Sequence, residues 1–312
     1  MRHQRNYIPI ALGLVLLGLA GCHAETDQNE NSDPTGAFEL AGFVSNPVLD
    51  EISGIETTDN GQFYVHNDEG NSLLHIIDDN GIYQSAIKLE GAKNRDWEDL
   101  TSIHRENQRL LVVGDIGDNQ ARYKSLRLYF VDEPSADTDG DFPKKLEVMH
   151  QLKVRYPDGP RDCEALAYDA SSKQLLFLTK RDKIPRLYGL SIDQALNQKT
   201  AELEFLAEVP TFSPPTAKEK LLAGKKALWL SQPTGMDISE DGSLAAVITY
   251  RSLYLYSRED GETWAEAFQK PPREFLGPPG VYDEAVTIDE TTHRVYVTTE
   301  KVPTPLYHLP LP

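Results

Sequence analysis

Cysteine, tryptophan, long hydrophobic runs and basic charge are all scarce in this chain of 312 residues. Its composition, 39% hydrophobic with 21 Gly and 20 Pro, excludes a collagenous, coiled-coil or wholly disordered protein. The 31 basic residues against 49 acidic residues give a net charge of −18, which disfavours nucleic acid and anionic membrane surfaces as partners of the folded part. We therefore expect a cation or a cationic ligand, and no nucleic acid.

The one long apolar run stands near the start of the chain. Ile8–Leu19 follows two arginines and is too short to span a bilayer comfortably, which is typical of a secretory leader. The string Leu19-Ala-Gly-Cys22 then resembles the lipobox of bacterial lipoproteins. That resemblance implies cleavage before Cys22 and acylation of this cysteine, leaving Cys163 as the only thiol and no intrachain disulfide. An ordinary leader or a short uncleaved anchor is the alternative.

These features divide the chain into a leader (1–21), a lipidated Cys22 with a tether (22–37) and one globular domain (38–312). Residues 23–37 have almost no apolar side chains and cannot offset the entropy of ordering. The acyl chains would hold the domain at a membrane without burying it, so we expect contact with the membrane through the lipid anchor only. His23 stands where inner-membrane retention calls for Asp by analogy with lipoproteins. The expected location is the outer membrane, facing the periplasm.

From Phe38 onward, short apolar runs alternate with Gly, Asp, Asn and Pro turns, and no stretch keeps a helical period beyond about three turns. The fold class is therefore all-β. Five versions of one unit each open a short strand: Ser53–Asp59, Glu98–His104, Glu164–Asp169, Gly235–Asp241 and Glu284–Asp289. Their starts lie 45, 66, 71 and 49 residues apart, in the range of a four-stranded propeller blade with loop insertions.

Two further apolar strands follow each opening, and a fourth follows in four of the five units. The last unit ends where its fourth strand should begin, and Phe38–Val44 is an apolar segment left over to supply it. The sequence thus predicts a five-bladed β-propeller of four-stranded antiparallel blades closed by the N-terminal strand. A β-sandwich is one alternative. Six blades is another, because the longest interval holds Pro214-Pro215 and Leu228–Leu230, which could form a degenerate blade.

In an antiparallel meander, the start of the first strand and the end of the second lie at the same end of the blade. The residues at these places therefore predict an acidic mouth of the central channel. The candidate metal ligands are Asp68, Glu98, Asp115, Asp118, Glu164 and Glu284. The candidate catalytic groups are Lys180 and Arg251 as electrophilic stabilisers and Glu300 or His66 as acid or base. So many hard oxygen ligands suit Ca²⁺ first and Mg²⁺ or Mn²⁺ second. The alternative is that the acids cap turns and that Lys180 and Arg251 only neutralise them.

Several strings resemble those of bacterial secreted propellers, which are distantly similar to the phytase-like and esterase-like propellers. The most specific are Asp96-Trp-Glu-Asp-Leu100 and Gly114-Asp-Ile-Gly-Asp-Asn119, with Ile52–Ile55, His66–Asp68, Cys163–Leu166 and Thr234–Ser239 beside them. The resemblance covers nearly all of residues 45–302 and implies the propeller fold. Phytase-like members use Ca²⁺ ions to hold a phosphate ester, but their metal motifs find no residue-by-residue match in this sequence.

We therefore expect a lipid-anchored envelope propeller whose acidic mouth binds a divalent cation and a small-molecule ligand. If it is an enzyme, the expected reaction is metal-assisted hydrolysis of phosphate esters or lactones. The rival is a non-enzymatic binding or assembly scaffold with an envelope protein as its partner. Propellers host both kinds of function, so the fold does not choose between them.

Overall fold

The computed structural model describes residues 38–311 except 59, 106–107 and 278–282. The predicted leader, the predicted acylation site Cys22 and the predicted tether lie outside the described residues. Within the described residues, no helix is long and apolar enough to cross a membrane.

The described chain begins with β1 (Glu39–Val44) and then forms antiparallel sheets one after another, which we number as blades 1 to 5. Blade 1 holds β2 (Ile52–Thr57), β3 (Gln62–Asn67), β4 (Leu73–Asp78) and β5 (Tyr83–Glu90). Blade 2 holds β6 (Asp99–Arg105), β7 (Gln108–Asp115), β8 (Leu126–Asp132) and, after β9 (Lys145–Glu147), β10 (His150–Arg155). Each strand pairs with the one before it in its blade, as a meander requires.

The second half of the chain repeats this plan with short helices between strands. Blade 3 holds β11 (Cys163–Asp169), β12 (Gln174–Thr179), β13 (Arg186–Ser191) and, after α1 (Ile192–Asn197) and β14 (Thr200–Glu202), β15 (Glu204–Glu208). After α2 (Ala217–Ala223) and a 3-10 helix (Gly224–Ser231), blade 4 holds β16 (Pro233–Ile238), β17 (Leu244–Thr249), β18 (Ser252–Ser257) and, after α3 (Trp264–Ala267), β19 (Arg273–Leu276). Blade 5 holds β20 (Asp283–Asp289), β21 (Arg294–Thr299) and β22 (Thr304–Pro310).

The first strand of the chain completes the last blade. Strand β1 pairs antiparallel with β22, from Glu39 opposite His308 to Val44 opposite Thr304. The inner strands β2, β6, β11, β16 and β20 each contact the next, and β20 contacts β2. The prediction of five four-stranded blades closed by the N-terminal strand is confirmed, and the sandwich alternative is wrong.

The six-blade alternative is also wrong. The long interval before blade 4 forms α2 and the 3-10 helix instead of strands. The Thr216 hydroxyl accepts a hydrogen bond from the Glu219 amide, and the Glu219 carboxylate accepts one from the Thr216 amide, so a capping box starts α2. The lysine- and leucine-rich sequence that follows favours a helix over a strand.

Two blades carry a fifth strand that the sequence analysis did not predict. Strand β9 pairs in parallel with β5, and β14 pairs in parallel with β10. In each case the connection inside one blade lends three residues to the outer edge of the preceding blade. These short strands cover edges that would otherwise expose unpaired amide and carbonyl groups.

The core consists of apolar layers between neighbouring blades. The layer between blades 1 and 2 contains Tyr64, Trp97 and Tyr129, all fully buried. The free thiol of Cys163 lies in the layer between blades 2 and 3, where burial raises its pKa to about 12. The thiol is therefore a packing group and not a nucleophile.

A belt of buried carboxyl groups crosses the middle of the channel and links the inner strands. Oδ2 of Asp99 in blade 2 accepts hydrogen bonds from the Leu166 amide of blade 3 (2.8 Å) and the Met236 amide of blade 4 (3.2 Å). Burial raises the pKa of Asp99 well above its ordinary value, against the lowering effect of these amides. One side chain thus joins three blades.

The belt continues through two further acids. The Asp237 carboxyl of blade 4 accepts from the Ile288 amide of blade 5 (2.7 Å) and the Thr287 hydroxyl (3.2 Å). The Glu56 carboxyl of blade 1 accepts from the Ser102 amide of blade 2 (2.9 Å). Backbone amides donate hydrogen bonds to all of these carboxyl groups, so the acids in the middle of the channel have a structural role.

Candidate functional site

A repeated β-bulge sets which side chains face the channel at the start of the inner strands. In blades 1, 3, 4 and 5 the pairing of the inner strand with its neighbour shifts by one residue at its second position. In blade 2 the Glu98 amide donates to the Gly114 oxygen (3.0 Å) beside the Asp99–Gly114 pair. Bulges re-aim side chains at the ends of sheets. The five corresponding residues, which we term the bulge ring, are Ser53, Glu98, Glu164, Thr234 and Glu284.

A second set of corresponding residues follows the second strand of each blade. Because Asn67, Thr179, Thr249 and Thr299 pair with the first residues of the inner strands, the residues after them correspond to one another. We term these residues the strand-end ring: Asp68, Ile116, Lys180, Tyr250 and Glu300. The two rings together define the acidic end of the channel.

Three carboxyl groups meet at this end of the channel. Glu98, Asp162 and Glu164 are all buried, and one oxygen of each lies within 4.8 Å of the others. Glu98 comes from blade 2, whereas Asp162 and Glu164 stand at the start of blade 3. The Ser53 hydroxyl of blade 1 donates to the Glu98 carboxyl at 3.1 Å. The structure therefore brings together two of the predicted ligands, with Asp162 as an additional one.

Two cations face these acids. The Lys180 ammonium is 2% exposed and donates to the Glu164 carboxylate and to the Tyr250 hydroxyl, the latter at 3.0 Å. Nε of Arg181 lies 2.5 Å from Oδ2 of Asp162. The fourth acid, Glu284, hydrogen-bonds Tyr250 on its other side. Four carboxyl groups thus face only two positively charged side chains, so a bound cation would improve the charge balance of the site.

Burial is the largest influence on the protonation of the cluster. It raises the pKa of Glu164 to about 7 although Lys180 lowers it, and it raises the pKa of Glu98 and Glu284 well above their ordinary value. Burial alone would lower the pKa of Lys180, but Glu164 and its neighbours raise it well above its ordinary value. Without a bound cation, Glu164 is therefore partly protonated near neutral pH while Lys180 stays charged.

This protonation makes stability depend on pH. Native acids with raised pKa values bind more protons than unfolded ones, so in EDTA they lower the free energy of unfolding as the pH rises from about 5 to about 8, by about 1.4 kcal/mol per pH unit for each extra proton. The buried His66, with its pKa lowered to about 4, acts in the opposite sense up to about pH 6.5, so the net fall should be steepest above that pH. Urea unfolding across this range measures the slope. Glu164→Gln should reduce it, and Glu204→Gln at an exposed position of β15 should not. An equal slope in the wild type and in Glu164→Gln would contradict the protonation that we assign.

A glycine lets the Gly114–Asn119 loop lie over the cluster. The Gly117 amide donates to the backbone carbonyl oxygen of Asp96 at 3.1 Å. A Cβ at Gly117 would overlap the carboxyl groups of Glu98 and Asp96. The Asp118 amide donates to Oδ1 of Asp162 at 2.8 Å. This loop is one of the strings that carried the resemblance, and here it holds Asp162 by a hydrogen bond and packs against the Glu98 carboxyl group.

Two predicted ligands in this loop have other partners. Asp115 is buried and lies 3.5 Å from both Arg95 and Arg127. The Asp118 carboxyl accepts hydrogen bonds from the Arg122 and Tyr123 amides, at 2.9 and 2.7 Å, and so caps a turn. For these two residues, the structure shows the turn-capping and neutralising roles of the alternative interpretation.

Of the remaining predicted residues, two have partners outside the three acids and two belong to the strand-end ring. His66 packs edge-on against Trp97, with ring centroids 5.5 Å apart, and burial lowers its pKa to about 4. Arg251 lies 3.0 Å from Glu219 and 3.6 Å from Glu274 of the outer strand. Asp68 and Glu300 belong to the strand-end ring, and Glu300 raises the pKa of Glu284.

Sequence reasoning did not select Asp162, Arg181 or Tyr250 for the site. A signal for them was present, because Asp162 directly precedes an inner strand and Tyr250 directly follows a second strand, as Lys180 does. Counting from the buried threonines Thr179 and Thr249 would have matched Tyr250 with Lys180 and Arg251 with Arg181.

Comparisons with known proteins support the fold and go no further. Neither a protein-family model nor a curated protein sequence matches the chain. The PQQ-bound aldose sugar dehydrogenase of Streptomyces coelicolor is 11% identical, with 89% of this chain and 98% of that chain covered and a TM-score of 0.50. The gluconolactonase XC5397 of Xanthomonas campestris is 13% identical (84% and 72% covered, TM-score 0.44), and the Pan2 WD40 domain of Neurospora crassa is 8% identical (90% and 98% covered, TM-score 0.45). At 11% identity the likeness to the dehydrogenase shows the fold alone.

Proposed function

We propose that this chain is an exported, lipid-anchored propeller that binds a divalent cation, Ca²⁺ before Mg²⁺ or Mn²⁺, through Glu98, Asp162 and Glu164. The observation that carries this proposal is the meeting of their three oxygens within 4.8 Å of one another. The centre of a triangle with sides of 4.8 Å lies about 2.8 Å from each oxygen, so a contraction of a few tenths of an ångström suffices to hold an ion at about 2.3 to 2.6 Å. Carboxylate oxygens are the ligands that hard cations prefer.

The charges around the three acids fit a cation as well. Lys180 already contacts Glu164, so an ion must displace its ammonium group from that carboxylate. Tyr250 offers the ammonium a second acceptor at 3.0 Å, so Lys180 can turn aside without losing every partner. Bound metal would favour the ionised acids and release the protons that burial otherwise retains.

A ligand would then bind beside the ion, at the end of the channel. Lys180 and Arg181 suit an anionic group or a developing oxyanion, and Glu284, with its raised pKa, suits the donation of a proton. When bound, the metal would supply Lewis acidity and an activated water. These roles support hydrolysis of a phosphate ester or a lactone as the reaction to assay first.

Thermal melting tests the cation site. The ring closes between Glu39 and Pro310, so a chain that starts at His23 contains every described strand and lacks the predicted anchor. This chain is melted in EDTA and then with Ca²⁺, Mg²⁺ or Mn²⁺. A site filled at about 100 times its dissociation constant should raise stability by about 2.7 kcal/mol. Assays with phosphate-ester and lactone substrates then test the hydrolase, which should turn over substrate with the ion present and stop in EDTA.

Matched variants separate the site from general charge effects. Glu98→Gln and Glu164→Gln should abolish the shift that Ca²⁺ causes. Asp115→Asn should keep it, because this equally buried acid contacts Arg95 and Arg127 and not the cluster. The same melting temperature with every ion, or an unchanged shift in Glu164→Gln, would reject the cation site.

A groove at the rim favours the rival function as a binding scaffold. It has a volume of about 800 Å³ and is lined by residues of blades 3 and 4 that include Arg186, Phe205 and Gln269. Phe205 is exposed on β15, the outer strand of blade 3. If Phe205→Ser releases an envelope protein that co-purifies with the wild type, while cluster variants retain it, the scaffold function is supported instead.

A further inference from the structure

An exposed apolar patch stands out on the helical segment that precedes blade 4. Leu221 is 84% exposed, Leu222 55%, Leu228 62% and Trp229 42%. These four side chains lie within nine consecutive residues, on α2 and on the 3-10 helix that contacts it. Single exposed leucines are ordinary on protein surfaces, but a group of this kind indicates an interaction site.

Exposed lysines accompany the patch. They are Lys218, Lys220, Lys225 and Lys226. The one acid of the segment, Glu219, is paired with Arg251 at 3.0 Å, so its charge is neutralised. The segment is therefore locally positive in a chain whose net charge is −18.

We propose that residues 216–231 form a docking surface for an anionic lipid bilayer, with the three leucines and Trp229 entering the interface. Membrane-surface segments combine exposed leucine and tryptophan with lysine and bind at the level of the lipid headgroups. Lysine stems can lie along the apolar region while their ammonium groups reach lipid phosphates. This contact would be additional to the predicted lipid anchor and does not depend on it.

The whole-chain charge argued against an anionic membrane, and the structure shows why it misleads here. Screening limits the reach of surface charges to about 8 to 10 Å at moderate salt, so the local sign decides which surface a patch can approach. Leu221 protrudes from the surface with 84% of its area exposed, and four exposed lysines surround the patch, which suits a fluid surface that is apolar below and anionic above. A fluid interface closes around such a side chain, which favours lipid over a protein.

The patch adjoins the acidic cluster. The guanidinium of Arg181, which contacts Asp162, lies 6.0 Å from the centre of the Trp229 ring. The ammonium of Lys226 lies 5.4 Å from the same ring on its own helix. Docking through this patch would therefore bring the candidate cation site close to the bilayer surface.

Vesicle binding tests the proposal with the chain that starts at His23. Vesicles of phosphatidylcholine with phosphatidylglycerol are compared with phosphatidylcholine alone, by flotation and by tryptophan fluorescence. Of the three tryptophans, Trp97 and Trp264 are buried, so a blue shift on binding reports Trp229. We expect binding to the anionic vesicles only, weakened by salt. Leu221→Ser with Leu222→Ser should weaken it at least about tenfold, and each of Lys225→Glu and Lys226→Glu at least about fivefold.

Controls match the substitutions in kind and exposure. Ile82→Ser with Met149→Ser removes two exposed apolar side chains elsewhere, and Lys153→Glu with Lys199→Glu reverses two exposed lysines on the outer side of blade 2; neither pair should change the affinity. Melting temperatures confirm that all variants fold. The proposal fails if anionic vesicles do not bind at low salt, or if patch and control variants bind equally. It also fails if the patch variants only abolish self-association or capture of a protein.

Discussion

Replacing Lys180 by methionine is expected to lower the free energy of unfolding by about 3–5 kcal/mol at about pH 8 in EDTA. Methionine approximates the length and apolar volume of the lysine side chain but removes its charge. Glu164 would then remain in a buried volume with Glu98 and Asp162 and without its closest opposite charge. Urea denaturation of the chain that starts at His23 measures the loss, with the slope of the transition checked for a change in the unfolded state.

Two comparisons assign the loss to the buried charge. At about pH 5 the loss should shrink, because Glu164, with a pKa of about 7, is then protonated and needs no counter-charge. The double variant Lys180→Met with Glu164→Gln should recover a large part of the stability, since both charges leave together. Lys183→Met, at an exposed neighbouring position, should change stability by less than about 0.5 kcal/mol. A loss that is the same at both pH values would point to packing and not to charge.

The fold could be predicted because each blade repeats the same order of strands. The spacing of the openings and the leftover segment Phe38–Val44 were sufficient to predict five blades and the ring closure. The parallel strands β9 and β14 could not be predicted, because three residues with a single apolar side chain between two exposed polar ones have no pattern that distinguishes them from a loop. Only the edge of the preceding blade makes them strands.

Glu98, Glu164 and Lys180 were predicted for the site and lie together in the structure, whereas other selected residues stand one position away from those that face this cluster. Neighbouring side chains of a strand point to opposite faces, so a shift of one residue exchanges inward and outward positions. Arg251 was selected where Tyr250 faces Lys180, and His66 was selected one position before the end of β3, where it packs against Trp97. The repeated unit in blade 4 was aligned on Gly235, whereas the bulge shows that Thr234 is the position in blade 4 that corresponds to Glu164 in blade 3. Bulges are decided by pairing, which the sequence does not display.

The acids of the channel also divide into two kinds that sequence alone does not separate. Asp99, Asp237 and Glu56 accept hydrogen bonds from backbone amides of neighbouring blades. At the mouth, Glu164 and Asp162 face the side chains of Lys180 and Arg181, which can move, although Asp162 also accepts a hydrogen bond from the Asp118 amide. Both kinds occur within a few residues of one another in the same strands. Cation binding is therefore expected at the mouth, and a loss of stability is expected when an acid of the belt is replaced.

Replacing Asp99 by alanine is expected to lower the free energy of unfolding by about 3–5 kcal/mol. The substitution leaves the Leu166 and Met236 amides buried without their acceptor, and each such group costs about 1–3 kcal/mol. Asp99→Asn keeps one acceptor oxygen and should cost less, about 1–2 kcal/mol. Asp193→Ala, at an exposed position in α1, serves as the control and should have little effect. Urea denaturation measures the free energy of unfolding of each variant.

Hydrogen exchange shows where that loss occurs. In Asp99→Ala the amides of Leu166 and Met236 should exchange faster than in the wild type, while amides of the outer strands β5 and β19 keep their protection relative to global unfolding. Loss of protection at both amides would mean that one carboxyl holds blades 2, 3 and 4 together through the channel, in addition to the contacts between their sheets. Unchanged protection there would mean that the apolar layers alone position the blades. In that case, the buried Asp99 would satisfy polar groups inside the channel without holding the blades of the ring together.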